Sequence, residues 1–243
     1  MIKNQTWTAN IVTLFPEMFP GGLSYSLTGK ALKNKLWNLK TYNLRKFANG
    51  KRKAVDGPSA GGGAGQILKA EVLDTAINHI IENNSSYDRN SLPIVALSPR
   101  GKVFSQTEAL HFSKCKGITV ICGRYEGIDE RFLTFHNIPE LSLGDFILSG
   151  GELAAQVLID SVVRLIPGVL GNDKSLEEES FVNYLLEYPQ YTSPKEWKNL
   201  CIPEELLSGH HQKIKNWRLN KSEEITKKRR PDLWERHKSL RNH

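Results

Sequence analysis

Short apolar runs recur along the first half of the chain and are separated by stretches with helical spacing. Four of them are bounded by polar or turn-forming residues and are rich in β-branched or aromatic side chains, which predicts strands. They cover residues 7–14 (WTANIVTL), 37–44, 93–97 and 118–122. Strands of this kind that alternate with helices are typical of a mainly parallel α/β sheet.

The intervening segments show the 3.6-residue period of amphipathic helices. Residues 69–83 place Val72, Ala76 and Ile80 on one face, with Leu73 and Ile77 beside them. Residues 23–35 and 107–114 are also predicted to be helical. The loop of residues 45–65 (RKFANGKRKAVDGPSAGGGAG) is basic and then rich in glycine.

The segment 150–167 predicts an unusual helix. Its polar positions are Glu152, Gln156, Asp160 and Arg164, which recur every four residues, while nearly everything between them is apolar. This pattern predicts a helix with one narrow polar ridge and apolar surface on its other sides. Such a helix needs cover on several sides, from neighbouring elements or from a second subunit.

The chain divides into two predicted domains. Residues 1–168 carry the alternating strands and helices, and residues 169–180 include a polar stretch with three consecutive glutamates that predicts a flexible linker. Residues 181–243 are predicted to form a small, mainly helical domain. No internal repeat is visible.

Charge distinguishes the two predicted domains. The formal net charge of the 243 residues is +7, and residues 195–243 hold 13 Lys and Arg against 7 Asp and Glu, a net of +6. A positive excess confined to one end favours a polyanionic partner, with nucleic acid first among the candidates. A solvated helical face explains the charge equally well at this stage.

The cysteines and the apolar runs restrict the cellular setting. Cys115, Cys122 and Cys201 are odd in number and lack CxxC spacing, so we expect reduced, mostly buried thiols and neither a disulfide framework nor a zinc site. No apolar run approaches the roughly 20 residues that span a bilayer, and no signal-peptide pattern is present. We therefore expect a cytoplasmic protein without a membrane partner.

Four glycine-containing segments are too polar to be simple scaffold. They are 61–65 (GGGAG), 97–101 (LSPRG), 122–131 (CGRYEGIDER) and 141–152 (LSLGDFILSGGE), and the second and third each follow a predicted strand. Ligands of open α/β sheets bind beyond the carboxyl ends of strands, where glycine lets the backbone approach them. None of the segments has the spacing of a phosphate-binding loop, so we expect a ligand held by main-chain groups.

Three longer motifs resemble one known family. In chain order they are GRYEGIDERF, LSLGDFILSGGELAAQVLIDSVVRLIPGVLG and LLSGHHQKIKNWR, and they closely resemble the bacterial tRNA (guanine-N1-)-methyltransferases. The resemblance covers nearly the whole chain. It implies a trefoil-knotted α/β domain of the SPOUT class with a mainly parallel sheet, plus a small C-terminal all-α domain that binds tRNA. It also implies a homodimer and methylation of N1 of guanosine-37, 3′ of the anticodon.

The resemblance further implies S-adenosyl-L-methionine as the cofactor, bound in three loops whose main-chain groups read the adenine. The matching residues are Leu97, Ser98, Pro99, Gly123, Tyr125, Glu126, Gly127, Leu143, Gly144, Asp145, Phe146, Ile147, Leu148, Gly150 and Gly151. Glu126 is a candidate ligand for the methionine amino group or for a metal. An equally good interpretation is that Glu126 caps the following turn. No resident metal site is expected, although family precedent adds Mg²⁺ during catalysis.

The chemistry of the implied reaction needs a general base near guanine N1 and a cation or hydrogen-bond donor near O6. The family supplies a carboxylate and an arginine, which match Glu187 and Arg164 in this chain. Without the family, Glu187 would be interpreted as a surface carboxylate and Arg164 as a ridge residue in a salt bridge.

The sequence departs from the family pattern at several points. Glu187 stands where aspartate is common, the usual HYTRP reads QYTSP at 190–194, and Arg100 stands where glutamine is frequent. An arginine is also missing from residues 56–60 (DGPSA). These changes affect individual tRNA contacts more than the reaction. Two alternatives remain open: another knotted RNA methyltransferase acting on ribose 2′-OH or rRNA, or a non-catalytic RNA-binding module.

Overall fold

The computed structural model describes residues 6–84, 87–171 and 178–241. The chain forms two compact units, Met1–Gly171 and Asn172–His243. Half of the predicted linker 169–180 lies outside the described residues, because residues 172–177 are not among them. Among the described residues, no helix combines the length and the apolar character needed to cross a membrane.

The first unit is built on a five-stranded sheet in the order β2-β1-β6-β5-β7, and every neighbouring pair in it is parallel. Its strands are β1 (Trp7–Thr13), β2 (Trp37–Asn43), β5 (Ile94–Val103), β6 (Gly117–Cys122) and β7 (Glu140–Ser142). A two-stranded antiparallel hairpin, β3 (Asp56–Pro58) and β4 (Gln66–Leu68), stands apart from this sheet. The mainly parallel sheet expected from the sequence is confirmed.

Helices cover both faces of the sheet. They are α1 (Ser26–Lys33), α2 (Ala70–Glu82), α3 (Gln106–Lys114), α4 (Glu130–His136) and α5 (Gly151–Val163). One apolar core joins α1, α3 and α5 to the sheet, and a second core joins α2 and α4 to the opposite face. Side chains of a strand alternate between these cores, as Ile11 and Val12 of β1 do, because successive residues of a strand point to opposite faces. The predicted apolar face of α2 is buried, from Val72 to Ile80.

The ends of two predicted elements differ from the sequence analysis. The predicted helix 23–35 is shorter, because residues 21–24 form a separate 3₁₀ turn before α1. The predicted strand 93–97 continues to Val103, and its register against β7 shifts between Leu97 and Lys102. The segment LSPRG therefore bulges out of a strand instead of following one. An apolar run alone could not show that pairing resumes beyond the bulge.

Helix α5 carries the predicted ridge, and the structure shows what the ridge contacts. Glu152 accepts a hydrogen bond from Thr13 Oγ1 at 2.7 Å, and Asp160 accepts one from Thr28 Oγ1 at 2.8 Å. Gln156 donates to the Met18 carbonyl oxygen at 3.2 Å. The apolar side chains of Leu153 and Val157 are instead 53% and 54% exposed. Glu152, Gln156 and Asp160 thus bind other elements of the same unit, while part of the apolar surface faces outward.

The second unit is mainly helical. It contains α6 (Glu204–Leu207), α7 (His211–Arg229) and α8 (Pro231–Arg241), together with a short hairpin of β8 (Glu196–Trp197) and β9 (Leu200–Cys201). Thr226 is fully buried, and its hydroxyl accepts a hydrogen bond from the Leu186 backbone N–H at 2.7 Å. This bond fixes the segment before Glu187 against α7.

Of the three free thiols, Cys122 is buried, Cys115 is half-buried and Cys201 is exposed, so the expectation of mostly buried thiols fails for Cys201.

Candidate active site

A cavity of about 890 Å³ opens at the carboxyl edge of the sheet in the first unit. The loops after β6 and β7 and the bulge within β5 meet there, because the carboxyl ends of parallel strands share one edge. The lining includes every residue that the sequence suggested for the cofactor except Asp145, which is exposed. Three of the four glycine-containing segments contribute to it, and 61–65 does not.

Backbone packs directly on backbone where these loops meet. Gly151 donates from its N–H to the Gly123 carbonyl oxygen at 2.9 Å, and a Cβ added at Gly151 would lie 2.8 Å from Cys122 Cα. Only glycine fits at such a contact. At Gly127, whose φ is +124°, an added Cβ would meet nothing within 4 Å. The cavity therefore has open main-chain surface, which suits a ligand recognised by N–H and C=O groups.

Residues 61–65 take a position beside the cavity loops. Gly65 packs against Glu126, since a Cβ added at Gly65 would lie 2.3 Å from Glu126 Cγ. The Glu126 backbone N–H also donates to the Gln66 carbonyl oxygen at 2.9 Å. The glycine run supports the loop that carries Glu126, while the side chain of Glu126 remains exposed at the cavity.

An ion pair that the sequence analysis did not single out lies behind the cavity loops. Arg124 Nε donates to Glu152 Oε2 at 2.8 Å, and the side-chain exposures are 18% and 0%. Arg124 also donates to the Ser149 carbonyl oxygen at 3.1 Å and lies over the Phe15 ring at 4.4 Å. Burial raises the pKa of the neighbouring Cys122 thiol well above its usual value, and the charge of Glu152 adds to this effect. The sequence contained one indication of this ion pair, because Glu152 lies inside an apolar helix and a buried carboxylate needs a partner.

The charged groups at the cavity rim are largely paired with one another. Arg100, where the family frequently has glutamine, contacts Glu130 at 2.8 Å and Glu140 at 3.0 Å. Arg131 contacts Asp129 at 2.6 Å, and this guanidinium holds the pKa of the Asp129 carboxyl below its usual value. Positive and negative charges therefore largely cancel one another at the rim.

The two predicted catalytic residues lie outside the described lining of the cavity. Arg164 is half-buried at the C-terminal end of α5, in the first unit. Glu187 is exposed in the second unit, and its Oε1 accepts a hydrogen bond from Gln190 Nε2 at 2.7 Å. Another carboxylate of that unit, Glu178, already binds the Tyr188 hydroxyl at 2.6 Å and Arg218 at 2.9 Å.

Comparison with known proteins shows the family. The model of the family described as tRNA (Guanine-1)-methyltransferase TrmD matches residues 8–236. The chain belongs to this family. A relative named tRNA (guanine-N(1)-)-methyltransferase from Ruegeria sp. (strain TM1040) is 56% identical over 228 residues, covering 94% of this chain and 92% of the relative.

Two further relatives carry the same name. The protein from Pelagibacter ubique (strain HTCC1062) is 55% identical, covering 96% of this chain and 99% of the relative. The protein from Zymomonas mobilis subsp. mobilis (strain ATCC 31821 / ZM4 / CP4) is 48% identical, covering 98% and 93% respectively. Near-complete coverage on both sides means that the shared part includes both compact units.

Membership of the tRNA (guanine-1)-methyltransferase family confirms the expected fold class. The five-stranded parallel sheet with helices on both faces is an α/β domain of the SPOUT class, and a helical C-terminal region follows it. The family also implies S-adenosylmethionine as methyl donor, and the glycine-lined cavity fits a group of that kind. Within the described ranges, no three His, Cys, Asp or Glu side chains are grouped to hold a metal ion.

Proposed function

We propose that this chain transfers a methyl group from S-adenosyl-L-methionine to N1 of guanosine-37 in tRNA, immediately 3′ of the anticodon. The observation that carries the proposal is the cavity at the carboxyl edge, lined by the three family loops in a chain that matches the family model over residues 8–236. Its volume of about 890 Å³ lies within the range of small-molecule sites. The cytoplasm is the proposed location.

The cofactor residues are proposed to hold the donor by two kinds of contact. Main-chain groups of the loops at Leu97, Gly123 and Gly144 form hydrogen bonds with the adenine, since their glycines and the bulge leave the backbone open. Glu126 provides an exposed carboxylate for the positively charged amino group of the methionine moiety. When bound, S-adenosylmethionine supplies an electrophilic methyl group on a positively charged sulfur.

Two side chains are proposed to act on the guanine. The Glu187 carboxylate removes the N1 proton, so that N1 can form its bond to the methyl carbon as the carbon–sulfur bond breaks. As the proton leaves N1, negative charge spreads towards O6, where the Arg164 guanidinium stabilises it until the methyl group is transferred. Glu187 is one methylene longer than aspartate, and its exposed carboxylate exchanges the hydrogen bond from Gln190 for one from the bound base. A requirement for Mg²⁺ stays a prediction.

The binding partners are proposed to be tRNA and a second copy of the chain. Residues 195–243 hold most of the net positive charge, which suits the phosphates of RNA. The outward side of α5 carries Leu153 and Val157, which line one shallow pocket together with the exposed side chains of Phe146 and Leu148. Apolar patches of this kind mark protein interfaces, so we propose that a homodimer forms across this face.

Analysis of the modified nucleoside tests the proposed function. The chain, S-adenosylmethionine and an unmodified tRNA transcript with guanosine at position 37 should yield N1-methylguanosine after complete digestion. The same transcript with adenosine at position 37 is the matched control and should remain unmodified. A 2′-O-methylated nucleoside, or methylation that persists in the control transcript, would identify a different knotted RNA methyltransferase. Absence of any transfer despite tRNA binding would favour the non-catalytic alternative.

A further inference from the structure

Five cations stand close together in the first unit, between β2 and β3. Residues 45–53, which we call the basic loop, contain Arg45, Lys46, Lys51, Arg52 and Lys53. No acidic residue occurs between Leu44 and Val55. All five side chains are exposed, and in the part of the chain that the structure describes none of them lies within 4 Å of a carboxylate.

The basic loop is fixed to the core at both ends. Leu44 and Ala48 are 0% and 7% exposed, and Val55 is 1% exposed. Between Ala48 and Val55 the chain makes one tight turn, in which the Lys53 N–H donates to the Gly50 carbonyl oxygen at 3.3 Å. Its tip therefore presents Lys51, Arg52 and Lys53 from a backbone whose two ends are anchored in the core.

The topology places the basic loop at the carboxyl ends of the parallel strands, which is the end of the sheet that carries the cavity. The loop follows the carboxyl end of β2, and the carboxyl ends of the parallel strands β6 and β7 border the cavity together with the bulge of β5. The Lys69 N–H donates to the Val55 carbonyl oxygen at 2.9 Å, which ties the end of the loop to the hairpin. That hairpin contributes Gly57 and Ile67 to the cavity lining.

The carboxylates at the rim of the cavity do not balance the positive charge of the basic loop. The rim carboxylates Asp129, Glu130 and Glu140 already form ion pairs with Arg131 and Arg100. The fourth carboxylate of the lining, Glu126, is a single negative charge against the five cations. The five cations of the loop thus form a positive patch at the same end of the sheet as the cavity. Unpaired lysines and arginines in this position attract the phosphates of a nucleic acid whose base enters the cavity.

We propose that the basic loop binds the phosphate backbone of the tRNA strand next to the target nucleotide. This inference rests on the proposed function for the identity of the RNA and assigns part of the binding to the first unit. The contacts are to phosphates, so they position the strand and increase affinity without reading its sequence. The remaining affinity comes from other parts of the protein.

A charge-neutral variant of the tip tests this assignment. The tip variant carries Lys51→Gln, Arg52→Gln and Lys53→Gln. The control variant carries Lys33→Gln, Lys35→Gln and Lys114→Gln, which removes three exposed cations. These residues precede β2 and β6, so they lie at the amino ends of the strands, away from the cavity. Both variants lose the same net charge, so any difference between them reports the position of the charge and not its amount.

Binding of an unmodified tRNA transcript is measured for the wild type and both variants between about 0.05 and 0.3 M salt. The tip variant should bind about 10- to 100-fold more weakly near 0.1 M, with the slope of log Kd against log salt reduced by about 2. At saturating tRNA its turnover rate should equal that of the wild type, because uniform binding changes KM and not kcat. The control variant should stay within about threefold of wild type.

Equal binding by the tip and control variants, whether both are weakened or both are unchanged, would overturn the assignment. Methyl transfer by the wild type is measured in the same preparations and tests the proposed function separately. If the wild type binds tRNA but transfers no methyl group, the proposed function fails, while the difference in salt slope still decides whether the basic loop contacts RNA.

Discussion

Glu152 and Arg124 join the start of helix α5 to the loop after strand β6 through one buried ion pair. The Arg124 Nε and Glu152 Oε2 atoms are 2.8 Å apart, and the Glu152 side chain is 0% exposed. A fully buried carboxylate is stable only when partners compensate for its lost hydration. Here Arg124 and Thr13 provide them, and both ends of the pair belong to segments that line the cavity.

The first prediction concerns this pair. Glu152→Gln leaves Arg124 without a charged partner and should lower the free energy of unfolding by about 1–3 kcal/mol. The loops at Gly123 and Gly150 would also lose part of their fixation, so S-adenosylmethionine should bind more weakly. Denaturant unfolding and equilibrium binding measure the two effects.

Asp160→Asn is the matched control for Glu152→Gln. Asp160 lies on the same ridge and also binds a threonine hydroxyl, but it is exposed. Its substitution should cost less than about 1 kcal/mol, as expected for an exposed hydrogen-bonded carboxylate. Equal losses in the two variants would show that the ion pair has no special part in holding the loops.

The sequence predicted the polar ridge correctly but could not show what it contacts. A four-residue period shows that Glu152, Gln156 and Asp160 share one face. Their partners Thr13, Met18 and Thr28 are more than 130 positions away in the chain and are brought near by the folded sheet. The bulge at LSPRG was missed for a similar reason, because β5 resumes its pairing only in the presence of β7.

The sequence suggested nearly all of the loop residues that line the cavity, because glycine-rich segments after strands border ligand sites in α/β sheets and because the family motifs match these loops. Asp145 is the exception, because a match along the sequence cannot tell which side chains of a loop turn away from a cavity. The support of Glu126 by Gly65 was likewise beyond the sequence, since it depends on a contact between distant loops.

The second prediction tests the proposed base. Glu187→Gln should lower the rate of methyl transfer by about 10²- to 10⁴-fold, the usual cost of losing a general base, and leave S-adenosylmethionine affinity within about twofold. Single-turnover assays with saturating tRNA measure the rate.

Glu178→Gln and Glu179→Gln are the controls from the same unit. A Glu187→Gln rate within threefold of wild type would remove this residue from the mechanism, and a loss confined to Glu179→Gln would assign the base there.

The third prediction separates catalysis from binding at Arg164. Arg164→Ala should reduce the single-turnover rate more than it weakens tRNA binding, because its proposed interaction strengthens as charge develops at O6. Arg164→Lys should recover part of the rate, since it keeps the positive charge but not the planar guanidinium. Normal rates together with weakened tRNA binding would make Arg164 a docking contact.

The fourth prediction concerns the outward face of α5. Leu153→Lys combined with Val157→Lys places two charges on the proposed dimer interface and should shift the protein to monomers in sedimentation experiments, with loss of methyl transfer. Phe135→Lys is the control, because Phe135 is 82% exposed on α4, which covers the other face of the sheet. A double variant that stays dimeric and active would place the interface elsewhere or show that none is needed.

The central claim is that the cavity at the carboxyl edge holds the methyl donor, and a pair of glycine substitutions tests it most directly. Gly127 (φ +124°) and Gly63 (φ +110°) have similar backbones and open space around them, but only Gly127 lines the cavity. A tryptophan at either position imposes comparable backbone strain. Calorimetric titration with S-adenosylmethionine should show binding to Gly63→Trp near the wild-type affinity and loss of at least tenfold for Gly127→Trp. Equal affinities in the two folded variants would contradict the claim.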